Sequence, residues 1–146
     1  MTGYKAYQGN QIDGAGPLGL ILLTYDVLYK SLGRARMGIE RADLVMEAEQ
    51  TSRAIEALLE LTTSLDMQQG GKVAESLSSL YAYMINRLSS TLCTGSTAAV
   101  DEVMPLVQTL REGWYGLQLE QKKLNAPAMR SQAVGGARRP VAAYAR

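Results

Sequence analysis

Side chains able to do chemistry are few in this chain of 146 residues. It has no histidine, which removes the commonest general base and the commonest transition-metal ligand. Cys93 is the single cysteine, so neither a thiolate–imidazole pair nor a structural zinc site can be assembled. The Glu-x-x-His pairs of di-iron bundles cannot exist either. Fourteen carboxylates remain, and the helical pattern of the chain sets most of them on solvated faces. The chain therefore reads as a protein that binds another protein, not as an enzyme, with no metal and no cofactor. A lone cysteine allows no internal disulfide and fits a reducing cytosol. Cys93 itself reads as an inert thiol, buried or half-buried.

The remaining composition describes the body that must present a binding surface. Apolar residues make up 47% of the sequence, enough for one domain with one core. No apolar run reaches the roughly 18 residues of a membrane span. The N-terminus lacks the basic-then-apolar layout of a signal peptide. Charge is split along the chain. Residues 1–120 hold nine basic and fourteen acidic side chains, a net of −5. Residues 121–146 hold six basic side chains, Lys122, Lys123, Arg130, Arg138, Arg139 and Arg146, and no acid.

Hydrophobic periodicity organises the body into four helices. Residues 1–16 have no core stripe and read as an arm, extended or short-helical. Pro17 suits the first position of a helix, where its missing N–H would be unbonded anyway. From there Leu18, Ile21, Leu22, Tyr25, Leu28, Tyr29, Leu32 and Ile39 recur at three- and four-residue steps, giving a first helix over about 17–41. Asp43 is a candidate N-cap for a second helix with the stripe Leu44, Ala48, Ile55, Leu58, Leu59, Thr62 and Leu65. Gly70 and Gly71 interrupt the pattern. A third helix then carries Val73, Leu77, Leu80, Tyr81, Met84, Leu88 and Leu92. Gly95 fits a helix end, and Ser96 or Thr97 can cap a fourth helix, which carries Val100, Val103, Leu106, Val107, Leu110, Trp114 and Leu117. Pro105 inside it predicts a kink or a restart. Residues 126–146 have breakers and no period, so a disordered basic tail is expected. The fold class is all-α, an antiparallel up-down four-helix bundle over 17–125.

Three patches of the chain resemble the FliS family of flagellin-specific export chaperones. The first runs Ala6-Tyr7-Gln8-Gly9-Asn10-Gln11-Ile12, then Ala15-Gly16-Pro17 and Leu20-Ile21-Leu22-Leu23-Thr24-Tyr25-Asp26. The second is Ser64-Leu65-Asp66, Gly70-Gly71, Leu77, Leu80-Tyr81-Ala82-Tyr83-Met84 and Arg87-Leu88. The third is Leu110-Arg111-Glu112-Gly113-Trp114. Gly16, Val27, Ser76 and Gly113 depart from the usual serine, glycine, asparagine and alanine of the family. The resemblance implies a cytosolic helical bundle that binds the C-terminal segment of flagellin and prevents premature polymerisation. It also implies delivery to the flagellar type III export apparatus at its gate protein. In some members an N-terminal segment covers part of the binding surface.

Residue roles come from weighing core against surface. Tyr7, Asn10 and Ile12 lie outside any stripe and read either as part of a loose arm or as a cap over the flagellin groove. Ile21, Leu22, Tyr25, Leu28, Leu77, Leu80, Tyr81, Met84, Leu88, Leu110 and Trp114 fall on core spacing. Trp114 reads as an anchor whose truncation to alanine would cost about 3–5 kcal/mol if buried. Leu20 and Leu23 widen the apolar arc beyond one core stripe, and Tyr83 sits off it, which makes all three candidates for partner contact. Arg87 could cap a partner helix, or simply be solvated. The tail admits three readings: a solubilising extension, electrostatic docking to an acidic export partner or membrane surface, or weak nucleic-acid binding. Six charges with a single aromatic, Tyr144, among them argue against a nucleic-acid partner. No stable membrane insertion is expected, and the pattern sets no oligomeric state. The competing function is a bundle of the same fold that scaffolds or regulates a different helical or disordered protein.

Overall fold

The computed structural model describes the backbone of residues 2–125 and the side chains of residues 16–124. Four helices succeed one another: α1 (Thr2–Glu40), α2 (Leu44–Thr63), α3 (Met67–Ser90) and α4 (Ala98–Asn125). They pack antiparallel in a ring, α1 against α2 and α4, α2 against α3, with α3 and α4 meeting most sparsely. The centre is filled by Tyr25, Leu28 and Leu32 of α1, Leu58 of α2, Tyr81 and Met84 of α3, and Val103 and Val107 of α4. Burying such side chains contributes roughly 1.5–3 kcal/mol each, the term that holds the ring closed. No helix among the described residues is long and apolar enough to cross a membrane.

The helix starts are set by local chemistry. α1 is helical before and after Gly16, whose backbone leaves the helical region (φ 63, ψ −171). Proline disfavours the helical conformation in the residue before it, and glycine alone tolerates that positive φ cheaply. The segment holding Tyr7, Asn10 and Ile12 is thus helical in its backbone, while their side chains lie outside those described. Asp43 caps α2 by accepting from the Met46 N–H at 3.0 Å. Asp66 caps α3 by accepting from Gln68 and Gln69 at 3.1 and 3.0 Å. α3 therefore begins one turn before the glycine pair, and the break falls at Gly71 (φ 54). Ser96 Oγ accepts from the Ala98 N–H at 3.1 Å at the head of α4. The basic tail, residues 126–146, lies outside the described residues.

Three expectations are corrected and one, at Pro105, is narrowed. α4 does not restart at Pro105: the helix is continuous there, with Pro105 exposed and its missing bond facing the carbonyl of Asp101, an equally exposed residue. Water can satisfy that carbonyl, which removes most of the reason to break. On α2, Leu44 and Leu59 are 60% and 50% exposed, and the buried line is Glu47, Thr51, Ala54, Ala57, Leu58 and Leu61. Small residues are buried here because α1 and α2 approach closely. A Cβ on Gly38 would lie 2.7 Å from the Glu47 nitrogen. Val73 and Leu92 are likewise exposed, not part of the α3 stripe. Cys93 is exposed, because it sits in the loop after α3 with φ +64 and not on a helix face. Its N–H donates to Glu47 Oε2 at 2.9 Å, which ties this loop to the first turn of α2.

Candidate functional site

Where α3 and α4 meet sparsely, the bundle has an open groove of about 390 Å³. Its walls are Lys72, Val73, Ser76, Leu77 and Leu80 of α3 and Leu110 of α4. On α3 these positions are spaced 73, 76, 77 and 80, a second line, apolar except for Ser76, set beside the core line Leu77, Tyr81, Met84 and Leu88 and sharing only Leu77 with it. Positions three and four apart lie on one helix face, so one helix presents both a core face and a groove face. Leu77, Leu80 and Leu110, expected in the core, are half-buried: they pack on it from one side and face the groove from the other. Gly113 stands one turn beyond Leu110 on α4, and a Cβ there would meet nothing within 4 Å.

A buried polar chain joins three of the helices. Trp114 Nε1 donates to the Tyr25 hydroxyl at 3.1 Å, and that hydroxyl shares a 2.6 Å hydrogen bond with the Tyr81 hydroxyl. The three groups come from α4, α1 and α3, so the bonds set the relative rotation of three helices as well as filling space. Burial pushes both phenols above their ordinary range. They remain neutral donors and acceptors at any physiological pH.

One end of the α3–α4 seam is clamped. Glu102 of α4 accepts hydrogen bonds from the Tyr83 hydroxyl and from Arg87 Nε, the latter at 2.7 Å. The bonds from Tyr83 and then Arg87 hold the Glu102 carboxyl below its usual range, and Tyr83 is raised in return. Across the α1–α4 seam, Arg111 Nε donates to Asp26 Oδ1 at 2.8 Å and its guanidinium lies over the rings of Tyr29 and Tyr115. Arg36 joins the same two helices through Asp101 at 2.7 Å. Among the described residues, Asp101, Arg111 and Trp114 thus tie α4 to α1 at several points, and Glu102 ties it to α3.

The residues singled out for partner contact separate accordingly. Tyr83 and Arg87 lie at the clamped end of the seam, both engaged by Glu102. Leu20 and Leu23 are half-buried on α1 and do not line the groove. The side chains of Tyr7, Asn10 and Ile12 are outside those described. Ile21, Leu22, Tyr25, Leu28, Tyr81, Met84, Leu88 and Trp114 are buried. Lys72, Val73 and Ser76 are not among the expected contact residues, although the 73, 76, 77, 80 spacing marks this line. Among the described residues, no group of three His, Cys, Asp or Glu side chains is placed to hold a metal ion.

Comparison with known proteins fits this architecture. The family model described as flagellar protein FliS matches residues 1–121. The chain is 35% identical over 118 residues to the flagellar secretion chaperone FliS of Salmonella typhimurium, covering 77% of this chain and 87% of that protein. It is 33% identical over 121 residues to the flagellar secretion chaperone FliSB of Pseudomonas aeruginosa, covering 80% and 96%. It is 31% identical over 111 residues to the Campylobacter jejuni FliS, covering 76% and 87%. The chain belongs to the FliS family of flagellar secretion chaperones and is not an enzyme.

Proposed function

We propose that this chaperone works in the cytosol and captures the C-terminal segment of flagellin as a helix laid in the α3–α4 groove. The observation that carries the reading is the groove itself: an apolar trough along a helix seam, with leucines on both walls and no catalytic group. An amphipathic helix docks in such a trough through apolar residues three and four apart. A segment that folds on binding loses conformational entropy, so a long apolar contact is needed to hold it. While held, its apolar face is unavailable to other flagellin copies, which prevents premature polymerisation. The loaded chaperone then presents flagellin to the gate protein of the flagellar type III export apparatus.

Titration calorimetry of the full chain with a flagellin C-terminal peptide tests this reading. Leu80→Asp places a charge on the groove wall and is expected to weaken binding at least about tenfold, which corresponds to 1.4 kcal/mol. Circular dichroism checks that the variant stays folded. No binding by the folded parent protein at tens of micromolar would overturn the reading, and would favour a bundle of the same fold with a different client. Delivery is tested by whether the gate protein's cytosolic domain retains the chaperone with the flagellin peptide better than either alone.

A further inference from the structure

The corrected face of α2 leaves a second surface that the groove does not use. Val45, Ala48, Ser52, Ile55, Leu59 and Thr62 are spaced by alternating steps of three and four residues. That is the a/d spacing of a coiled-coil seam, sustained along nearly the whole helix and without a charge in it. Val45 and Leu59 are 67% and 50% exposed, Ser52 is exposed, and the other three are half-covered. The core occupies a different line on this helix, through Glu47, Ala54, Leu58 and Leu61. α2 therefore carries two faces rich in apolar residues: the fold buries one, and of the other it packs Ile55 partly against the core.

The edges of the seam say what fits it. One edge is the bundle itself, where Thr51 and Leu58 are buried. The other edge carries Glu49 and Glu56 at the heptad positions that flank a partner helix. Neither glutamate has a hydrogen bond or ion pair among the described residues. Arg53 lies beyond them, farther from the seam. A second copy is a poor occupant. Antiparallel pairing of two α2 helices would bring Glu49 of one beside Glu56 of the other, and like charges across a helix pair are unfavourable.

We propose that the α2 seam is a docking site for an amphipathic helix of another protein whose apolar stripe is edged with lysine or arginine. The apolar stripe covers Val45, Ile55 and Leu59, and the basic edge meets Glu49 and Glu56. Ala48 and Ser52 in the middle let the two backbones come close. This surface is separate from the α3–α4 groove, so the inference does not depend on flagellin occupying that groove.

Two synthetic three-heptad peptides test it, with leucine at the seam positions and either lysine or glutamate at the flanking ones. Amide NMR shifts of the full-length chain are followed as each is added. The lysine peptide is expected to shift residues along α2, and the glutamate peptide to bind at least about tenfold more weakly. The double variant E49K/E56K should reverse that order, and Leu59→Asp should abolish both responses while leaving the thermal midpoint nearly unchanged. Adding flagellin C-terminal peptide should leave the α2 shifts in place. The proposal is overturned if neither peptide shifts α2 at millimolar concentration. Shifts confined to Leu77, Leu80 and Leu110, or equal binding of the two peptides, overturn it as well. So does a chain that dimerises alone in sedimentation and loses the dimer on Leu59→Asp, because the occupant is then a second copy.

Discussion

Three small residues in the α1–α2 hairpin are expected to respond to substitution in different directions, each for a reason visible in its surroundings. Gly38 lies where α1 meets the first turn of α2. A Cβ there would sit 2.7 Å from the Glu47 nitrogen and 3.0 Å from its Cα. Those are backbone atoms and cannot swing aside. Alanine normally favours a helix over glycine by up to about 1 kcal/mol, but overpacking of this kind costs about 1–3 kcal/mol. Gly38→Ala should therefore destabilise. Gly33 is the counter-case: its added Cβ would meet only the Met104 Cε at 3.9 Å, an ordinary contact. Gly33→Ala should stabilise by up to about 1 kcal/mol. Ala42, exposed in the turn, holds φ 54. An L side chain in that region costs about 1–2 kcal/mol, part of which glycine gives back as unfolded-state entropy. Ala42→Gly should raise stability by about 0.5–1 kcal/mol. Urea unfolding of the three variants checks all three signs, and a stabilised Gly38→Ala would show that the hairpin can spread.

At the scale of the element, α4 offers a substitution that separates stability from binding. Gly113 is helical, next to Trp114 in the chain and one turn from Leu110, with open space beyond it. Gly113→Ala should stabilise α4 by about 1 kcal/mol. Gly113→Leu should keep the fold but crowd a helix lying in the groove, so flagellin affinity falls while the thermal midpoint does not. Unchanged affinity in a folded Gly113→Leu chain would place the client elsewhere. The helices themselves were legible from sequence because Tyr25, Leu28, Tyr81, Met84 and Val107 are large apolar side chains at helical spacing, and size and period agreed. α2 was misread where they disagreed. Its core side is built from Thr51, Ala54 and Ala57, which score as weakly apolar, while Leu44 and Leu59 score strongly and point outward. Close helix approach selects small residues, and periodicity counts only large ones. The groove was hidden for a related reason. Leu77, Leu80 and Leu110 have core spacing, and whether a leucine at a seam is covered depends on the distance between α3 and α4, which no local pattern records. Tyr83 and Arg87 stood out as surface residues, but their engagement by Glu102 is a contact across 15 or more residues of chain. It arises only once α3 and α4 are side by side.

For the whole molecule, the cross-helix bonds predict a stability plateau with two limbs of different origin. On the acid side, Asp101 is held below its usual range by its hydrogen bond to Arg36 and then Thr97, and Glu102 by Tyr83 and then Arg87. A depressed carboxyl contributes stability that is complete above its unfolded value, near 3.8 or 4.5, and is lost as pH falls through the folded value. These pairs are exposed, so the contribution is modest and screened by salt. On the alkaline side, Tyr25 and Tyr81 are raised by burial from an ordinary 10.0. A raised phenol contributes stability that is complete below its unfolded value and is lost as pH rises toward the folded one. The thermal midpoint should thus be level from about pH 5 to about pH 9 and fall on either side. The two limbs should separate by variant and by salt. Glu102→Gln should flatten part of the acid limb, and added salt should flatten it further. Tyr81→Phe should lower the plateau by about 1 kcal/mol through its lost hydrogen bond and make the alkaline fall shallower, with little response to salt. Tyr83 is raised by its bond to Glu102 and not chiefly by burial, so Tyr83→Phe separates the two causes. If Tyr83→Phe relieves the alkaline limb and Tyr81→Phe does not, the buried chain from Tyr25 to Tyr81 is not what the folded state protects, and the clamp on the α3–α4 seam is.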